Sequence, residues 1–177
     1  MVRDLVAIFG VIAGFSYYVL TVRATRRNQD LQLETRQSQL FHQVTSPMMN
    51  VQAISEYMEM LNWEWDDYND FEMKYGSDNN LREYAIRTRL WMNLIYISRE
   101  ARMGLLDIEH LYNGLDVFLL FCWFKFKDVI FEQRKRYYTE TYMAEWEYIV
   151  NEIIKYREQI GDPWTPPTTL SRYIPDQ

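Results

Sequence analysis

The 177-residue chain is poor in the residues that carry most metal and redox chemistry. Its single cysteine, Cys122, excludes an intramolecular disulfide and suits a reducing compartment. Its two histidines, His42 and His110, lie far apart and belong to neither an H-E-x-x-H nor a C-x-x-C motif. The acidic cluster from Asp66 to Glu72 lacks the glycine and the ligand spacing of a calcium-binding loop. The sequence therefore predicts no metal site and no cofactor.

Glycine and basic charge are also scarce. The six glycines form no G-x-G-x-x-G or Walker motif, which argues against a phosphate-binding loop. Residues 37–177 carry 14 Lys and Arg against 22 Asp and Glu, a net charge of −8, so the basic surface of a nucleic-acid-binding protein is missing. Cys122 lies inside the apolar run 117–124, where a buried thiol is inert. We therefore predict that the chain is not an enzyme and binds no nucleic acid.

One uncharged stretch is long enough to cross a membrane. Leu5–Val22 has eighteen residues without a charge and is followed by Arg23, Arg26 and Arg27. As a helix it would span roughly 27 Å, close to the hydrocarbon thickness of a bilayer. The sequence thus predicts a single-pass transmembrane anchor at 1–22. The alternative is a cleaved signal peptide, but the apolar run is longer than usual and no small-residue cleavage site follows.

The flanking charges predict the orientation of this anchor. Positive residues concentrate on the cytoplasmic side of membrane spans, so Arg23, Arg26 and Arg27 place the rest of the chain in the cytoplasm, at the cell membrane. The same side chains are candidates for contact with lipid headgroups. Gly10 and Gly14, four residues apart, would let two membrane helices approach closely and thus favour a homo-oligomer. The alternative is that they are ordinary small residues of a membrane helix.

Beyond the anchor, the pattern predicts a helical stalk at 23–46 and then a compact bundle of about five helices at 47–161. Ser46-Pro47 resembles the start of the first bundle helix, because proline is tolerated in a first turn. In that helix one stripe recurs at steps of three and four residues and is predicted to face the core: Val51, Ile54, Met58 and Leu61.

Capping residues and glycines predict where the later helices begin and end. Asn80 and Asp107 are candidate N-caps. Four glycines stand where apolar periodicity stops and are predicted to end helices: Gly76, Gly104, Gly114 and Gly161. Residues 162–177 hold four of the five prolines and are predicted to form an extended tail.

Two surfaces are candidates for binding. The first is acidic and aromatic and would meet a protein partner: Trp63, Trp65, Asp66, Asp67 and Asp70. Residues 37–73 contain seven Asp or Glu and no Lys or Arg, whereas the helix at 81–103 contains five arginines. We therefore expect the two segments to face each other within the domain; the alternative is that the acidic segment binds a basic partner or a cation.

The second surface is the basic triplet Arg134, Lys135 and Arg136. On a membrane-tethered domain these side chains could contact anionic headgroups. The favoured interpretation is that they are the solvated C-terminal end of a helix, where cations complement the macrodipole.

Several segments between Glu64 and Arg157 resemble an uncharacterised family of bacterial and archaeal proteins that have one N-terminal span and a helical domain of unknown function. The matching features are DFEMKYG at 70–76, SREARMGLLDIEHLY at 98–112, Trp123 with FKFKDVIFEQR at 124–134, and the aromatic helix from Tyr142 to Tyr156. The resemblance implies the architecture and supplies no activity. Within it, Trp123 and Arg134 are expected to be structural.

The sequence therefore predicts an all-α protein with a transmembrane helix, a stalk, a bundle and an extended tail. The leading functional hypothesis is a membrane-anchored interaction or scaffold protein whose cytoplasmic bundle binds another protein. The alternative hypothesis is a membrane-linked effector or regulatory subunit of the stress-response or phage-defence type. The predicted partners of the chain are the lipid bilayer and another protein.

Overall fold

The computed structural model describes the backbone of residues 2–167, the exposure of Gly10 and the side chains of residues 12–167. Throughout this part the chain is all-α and contains no strand, which confirms the predicted fold class. Its elements, in chain order, are α1 (Val2–Thr45), a 3-10 turn (Ser46–Met48), α2 (Val51–Leu61), α3 (Tyr68–Tyr75), α4 (Leu81–Arg102), α5 (Ile108–Arg136) and α6 (Ala144–Gln159).

The chain forms two compact units, Met1–Gln39 and Leu40–Gln177. In the part that the structure describes, no helix is both long and apolar enough to cross a bilayer. Six of the eighteen residues of the predicted span lie outside the described side chains: Leu5, Val6, Ala7, Ile8, Phe9 and Val11. The membrane anchor stays a prediction from the sequence.

Short polar side chains begin four of the five bundle helices. The predicted caps Asn80 and Asp107 are confirmed, because each accepts a hydrogen bond from a backbone N–H in the first turn of its helix. Asp67 caps α3 in the same way. The first bundle helix begins later than predicted, since Pro47 lies in the 3-10 turn and Asn50 caps α2 at 2.8 Å. Each such cap is worth about 1 kcal/mol.

Gly114 does not end a helix, and α5 runs through it without a break. A Cβ atom at this position would lie 2.6 Å from Cζ of Phe41. Such a distance is far inside van der Waals contact, so only glycine leaves room for the ring as the two are placed. The prediction of a break here was wrong because this glycine serves a close approach. Gly104 and Gly161 do follow helix ends, with φ of 74° and 79°.

The core of the second unit is built by α4, α5 and α6. The ring of Trp146 lies 5.4 Å from that of Trp123 and 6.2 Å from that of Trp91, measured between centroids. The Trp146 indole N–H donates to the carbonyl of Leu119 at 3.2 Å, so its one polar group is satisfied in the interior. The side of α6 that carries Trp146, Ile149 and Ile153 is therefore the side that packs.

Both ends of the second unit add side chains to this core. At the start, Leu40, Phe41 and Val44 of α1 are half-buried against it. At the end, the chain from Asp162 to Pro167 has no regular secondary structure, but Trp164 packs 4.7 Å from the Phe124 ring. The rest of the predicted tail, residues 168–177, lies outside the described residues.

Candidate functional site

The first candidate site is the outward face of α2. Three of the four residues predicted to face the core point to solvent: Val51 is 86% exposed, Ile54 40% and Met58 51%. We call these three residues the outer stripe. The fourth, Leu61, is half-buried against the core as predicted. The opposite face enters the core instead, with Ala53, Tyr57 and Met60 buried.

The choice of buried face follows from the neighbours of α2. The Tyr57 ring packs 4.3 Å from that of Phe118 on α5, measured between centroids. An aromatic ring buries more surface than any residue of the outer stripe. The prediction for α2 was wrong because the helix has two apolar stripes, and only packing partners decide between them.

Ion pairs join one side of α2 to α4. Arg82 donates to Glu59 at 2.9 Å, and Arg89 pairs with Glu56. The hydrogen bond from Arg82 lowers the pKa of the Glu59 carboxyl. These contacts confirm that the acidic segment faces the arginine-rich helix within the domain. The outer stripe itself carries no charge, and the carboxylates of Glu56 and Glu59 beside it already have partners.

The two tryptophans of the predicted partner surface pack inward. Trp63 is buried and stacks on Tyr75 with ring centroids 4.1 Å apart. Trp65 is half-buried and stacks on Phe126 at 5.4 Å. Trp63 is therefore a core residue and is not exposed for a partner.

The three aspartates of that surface organise the start of α3. Asp67 is its N-cap, and Asp70 forms an ion pair with Lys74 at 2.7 Å. Asp70 also accepts a hydrogen bond from the Asp66 N–H at 3.0 Å. The Lys74 contact lowers the pKa of the Asp70 carboxyl. These local contacts account for two of the carboxylates without a partner protein.

The basic triplet at the end of α5 divides into one internal and two external side chains. Arg134 is only 13% exposed and donates to the Tyr142 carbonyl at 2.7 Å and to Glu147 at 2.8 Å. Lys135 and Arg136 are exposed and pair with a glutamate of the same helix. Arg134 therefore joins α5 to α6 and is not placed for headgroup contact. Arg136 also donates to Asn69 of α3 at 3.0 Å, whereas Lys135 faces solvent.

The remaining predicted residues fall as follows. Trp123 is buried in the core, and Cys122 is fully buried, which raises the pKa of its thiol. Within the first unit Gly10 and Gly14 are exposed, with open space where a Cβ would lie. The headgroup candidates Arg23, Arg26 and Arg27 are exposed as well. In the described part of the chain, no three His, Cys, Asp or Glu side chains are grouped to hold a metal ion.

Lys125 is a buried cation that sequence reasoning missed. It is 1% exposed, and its ammonium donates to the Trp63 carbonyl at 2.7 Å and lies 5.0 Å from the centre of the Trp65 ring. Burial lowers the pKa of Lys125 to about 8, against the opposing attraction of Glu64. The burial of Lys125 was not predicted, because a lysine that follows an apolar run is ordinarily exposed.

The second candidate site surrounds another buried cation, Arg87 of α4. This side chain is 3% exposed, and its guanidinium carbon lies 4.8 to 5.2 Å from the ring centres of Phe71, Trp91 and Tyr84. Its Nη1 atom has no hydrogen-bond partner among the described residues. The nearest carboxylate oxygen, Oε1 of Glu72, is 3.9 Å away. Desolvation lowers the pKa of Arg87.

Two pockets meet at Arg87. The inner pocket has a volume of about 150 Å³ and is lined by residues that include Arg87, Trp91 and Gln133. The outer pocket, of about 390 Å³, shares Arg87 and Gln133 and adds the carboxylates of Glu72 and Asp78. Arg87 lies four residues before Trp91 and therefore on the buried face of α4. This spacing is the sequence signal that could have predicted its burial.

No protein-family model, no curated protein and no solved structure matches the chain. The family resemblance drawn from the sequence therefore stays a prediction.

Proposed function

We propose that the chain is a membrane-anchored interaction protein whose helical bundle binds another protein through the outer stripe of α2. The observation that carries this proposal is the exposure of Val51, Ile54 and Met58. Their spacing of three and then four residues places them on one line along the helix, which is the pattern by which a helix enters an apolar groove. Exposed apolar surface of this kind is typical of interaction sites.

The occupant that fits the outer stripe is a protein with an apolar face. An interfacial helix that binds lipid carries Lys or Arg on its polar face, and α2 has neither. The adjacent glutamates are paired with Arg82 and Arg89, so the charges at the edge of the stripe are already neutralised within the domain. A partner with a groove of apolar side chains matches such a surface, because it buries the stripe without desolvating an unpaired ion.

The anchor rests on the sequence. Leu5–Val22 is uncharged and is followed by three arginines, so we place the bundle in the cytoplasm, at the inner face of the cell membrane. Gly10 and Gly14 provide the surface through which two anchors would pair. A reporter fused after Gln177 tests the orientation, and periplasmic or lumenal activity would contradict it.

Site-specific photocrosslinking tests the partner surface. A photoreactive amino acid at Ile54 or Met58 should yield one discrete crosslinked product, and the same group at Gln52, which is exposed and not three or four residues from any member of the stripe, should not. Ile54→Glu and Met58→Glu should each weaken a stoichiometric complex that the matched control Gln52→Glu retains. Tryptophan fluorescence would show that these variants stay folded, since all six tryptophans lie in the second unit.

Two results would contradict this assignment. A crosslinked product of twice the chain mass would identify a second copy as the occupant. Equal crosslinking from Ile54 and Gln52 would mean that the stripe has no specific role.

A further inference from the structure

The outer stripe is too small to form a complete interface. Its three side chains are smaller than aromatic ones, which bury about 150–250 Å² each, and none is fully exposed. Together they offer roughly 300 Å². A stable protein–protein interface buries about 800 Å² on each partner. A partner that covers the outer stripe therefore needs further contacts on neighbouring helices.

The neighbour of α2 that could supply them is α5. The Tyr57 ring of α2 packs 4.3 Å from the Phe118 ring of α5, measured between centroids. Just after α2 ends, the Trp63 carbonyl accepts a hydrogen bond from Lys125, one residue short of two turns beyond Phe118 along α5. The two helices therefore lie side by side and run in the same direction, with a furrow between them.

The exposed sides of α2 and α5 form one continuous face. On α2, Met58 follows Glu56 by two residues, about 200° around the helix, and Glu56 pairs with α4. On α5, Val117 precedes Phe126 by about two and a half turns, and the Phe126 ring packs 5.5 Å from that of Trp91 on α4. Met58 and Val117 thus both point away from α4. We call this side of the two helices the α2–α5 face.

The α5 half of this face is apolar and is partly covered by the tail. Val117 is 47% exposed, and Phe121 and Phe124 continue its line at steps of four and three residues. Trp164 packs on both rings, with centroids 6.4 Å from Phe121 and 4.7 Å from Phe124. Both phenylalanines are half-buried as a result. The tail therefore leaves Val117 open and covers the two rings that follow it.

We propose that the partner-binding face spans α2 and α5, with a helix of the partner lying in the furrow between the outer stripe and Val117. Trp164 limits this face, because it covers the area that Phe121 and Phe124 would add. The inference rests on the proposed function and extends it to a second helix. An apolar helix fits the furrow, because ridges of side chains on one helix pack between the ridges of its neighbours.

Site-specific photocrosslinking from α5 tests the extended face. The full chain carries p-benzoylphenylalanine in place of Val117, of Ile54 or of Tyr148, which is 41% exposed on α6 next to α4. We expect Val117 and Ile54 to capture the same protein in products of the same mass, and Tyr148 to capture none. Val117→Glu should lower the yield from Ile54 at least fivefold, whereas the matched control Tyr148→Glu should leave it unchanged.

The role of the tail is tested with the same crosslinker at Val117. Trp164→Ala should raise the yield of the product at least twofold, because two further rings become available to the partner. The control is Thr165→Ala, an exposed neighbour in the same segment, which should leave the yield unchanged. An unchanged or lower yield with Trp164→Ala would overturn the role assigned to the tail.

The other outcomes separate this inference from the proposed function. A product from Ile54 without one from Val117, or two products of different mass, would overturn the extension to α5 and leave the proposed function intact. No product from either position would overturn both. A product of twice the chain mass from Val117 would identify a second copy as the occupant and would also overturn both.

Discussion

Replacing Lys125 by methionine should remove a pH-dependent contribution to the stability of the bundle. The side chain is buried, and burial lowers its pKa to about 8 from an ordinary 10.5. The unfolded chain therefore binds the lysine proton more tightly than the folded chain does. As a result, the lysine contribution to the free energy of unfolding rises as pH rises through about 8 and toward 10.5.

The size of the effect follows from the two pKa values. The full difference corresponds to about 3 kcal/mol, because one pKa unit is about 1.4 kcal/mol. Integration of the linkage relation from pH 7 to about pH 9.5 gives a gain of about 2 kcal/mol in the free energy of unfolding. Lys125→Met has no proton to release and should lack this gain.

Denaturant unfolding of the full chain, followed by tryptophan fluorescence at several pH values, measures the difference. Cys122 contributes with the opposite sign, since burial raises the pKa of its thiol and the unfolded chain loses that proton first. Both proteins carry Cys122, so its contribution largely cancels when their curves are compared. The control is Lys155→Met. Lys155 is exposed and its pairing with Glu152 raises its pKa, so this variant should keep the gain in stability that the parent shows between pH 7 and about pH 9.5.

The reasoning would be refuted if the parent and Lys125→Met unfold with parallel pH dependences between pH 7 and about pH 9.5. That result would mean that Lys125 keeps an ordinary pKa in the folded chain. A titration of the Lys125 side-chain NMR signals would then show a midpoint near the usual lysine value.

Three further predictions concern other contacts. Gly114→Ala should lower the free energy of unfolding by about 1–3 kcal/mol, because the new methyl group meets the ring of Phe41. This cost should exceed the higher helix propensity of alanine, and a denaturant midpoint at or above that of the parent would contradict it. Arg134→Met should cost about 2 kcal/mol by breaking two charge-assisted hydrogen bonds, whereas Lys135→Met should change the denaturation midpoint little. Gly10→Ile with Gly14→Ile should reduce anchor pairing, measured as crosslinking through an engineered cysteine in residues 23–39; an unchanged crosslinking yield would show that the glycines do not form the contact.

Several features of the fold could be predicted from the sequence because they depend on nearby residues. The periods of apolar residues identify the helices, and Asn80 and Asp107 cap the helices that follow them. On α6, Trp146 and Ile153 recur on one apolar face, and that face is buried. The opposite charges of the acidic segment and α4 meet as predicted, since both lie in the same small domain.

Other features were decided only by the tertiary structure. Both faces of α2 are apolar, and the face that enters the core is the one whose tyrosine meets Phe118 of α5. Gly114 continues a helix because a ring from a distant segment occupies the space beside it. The burial of Arg87 and Lys125 likewise depends on rings from other segments, Phe71 of α3 and Trp65 of the connection before it. A single sequence reports the periodicity of each helix, but the volume and charge that surround a side chain are set by segments far away along the chain.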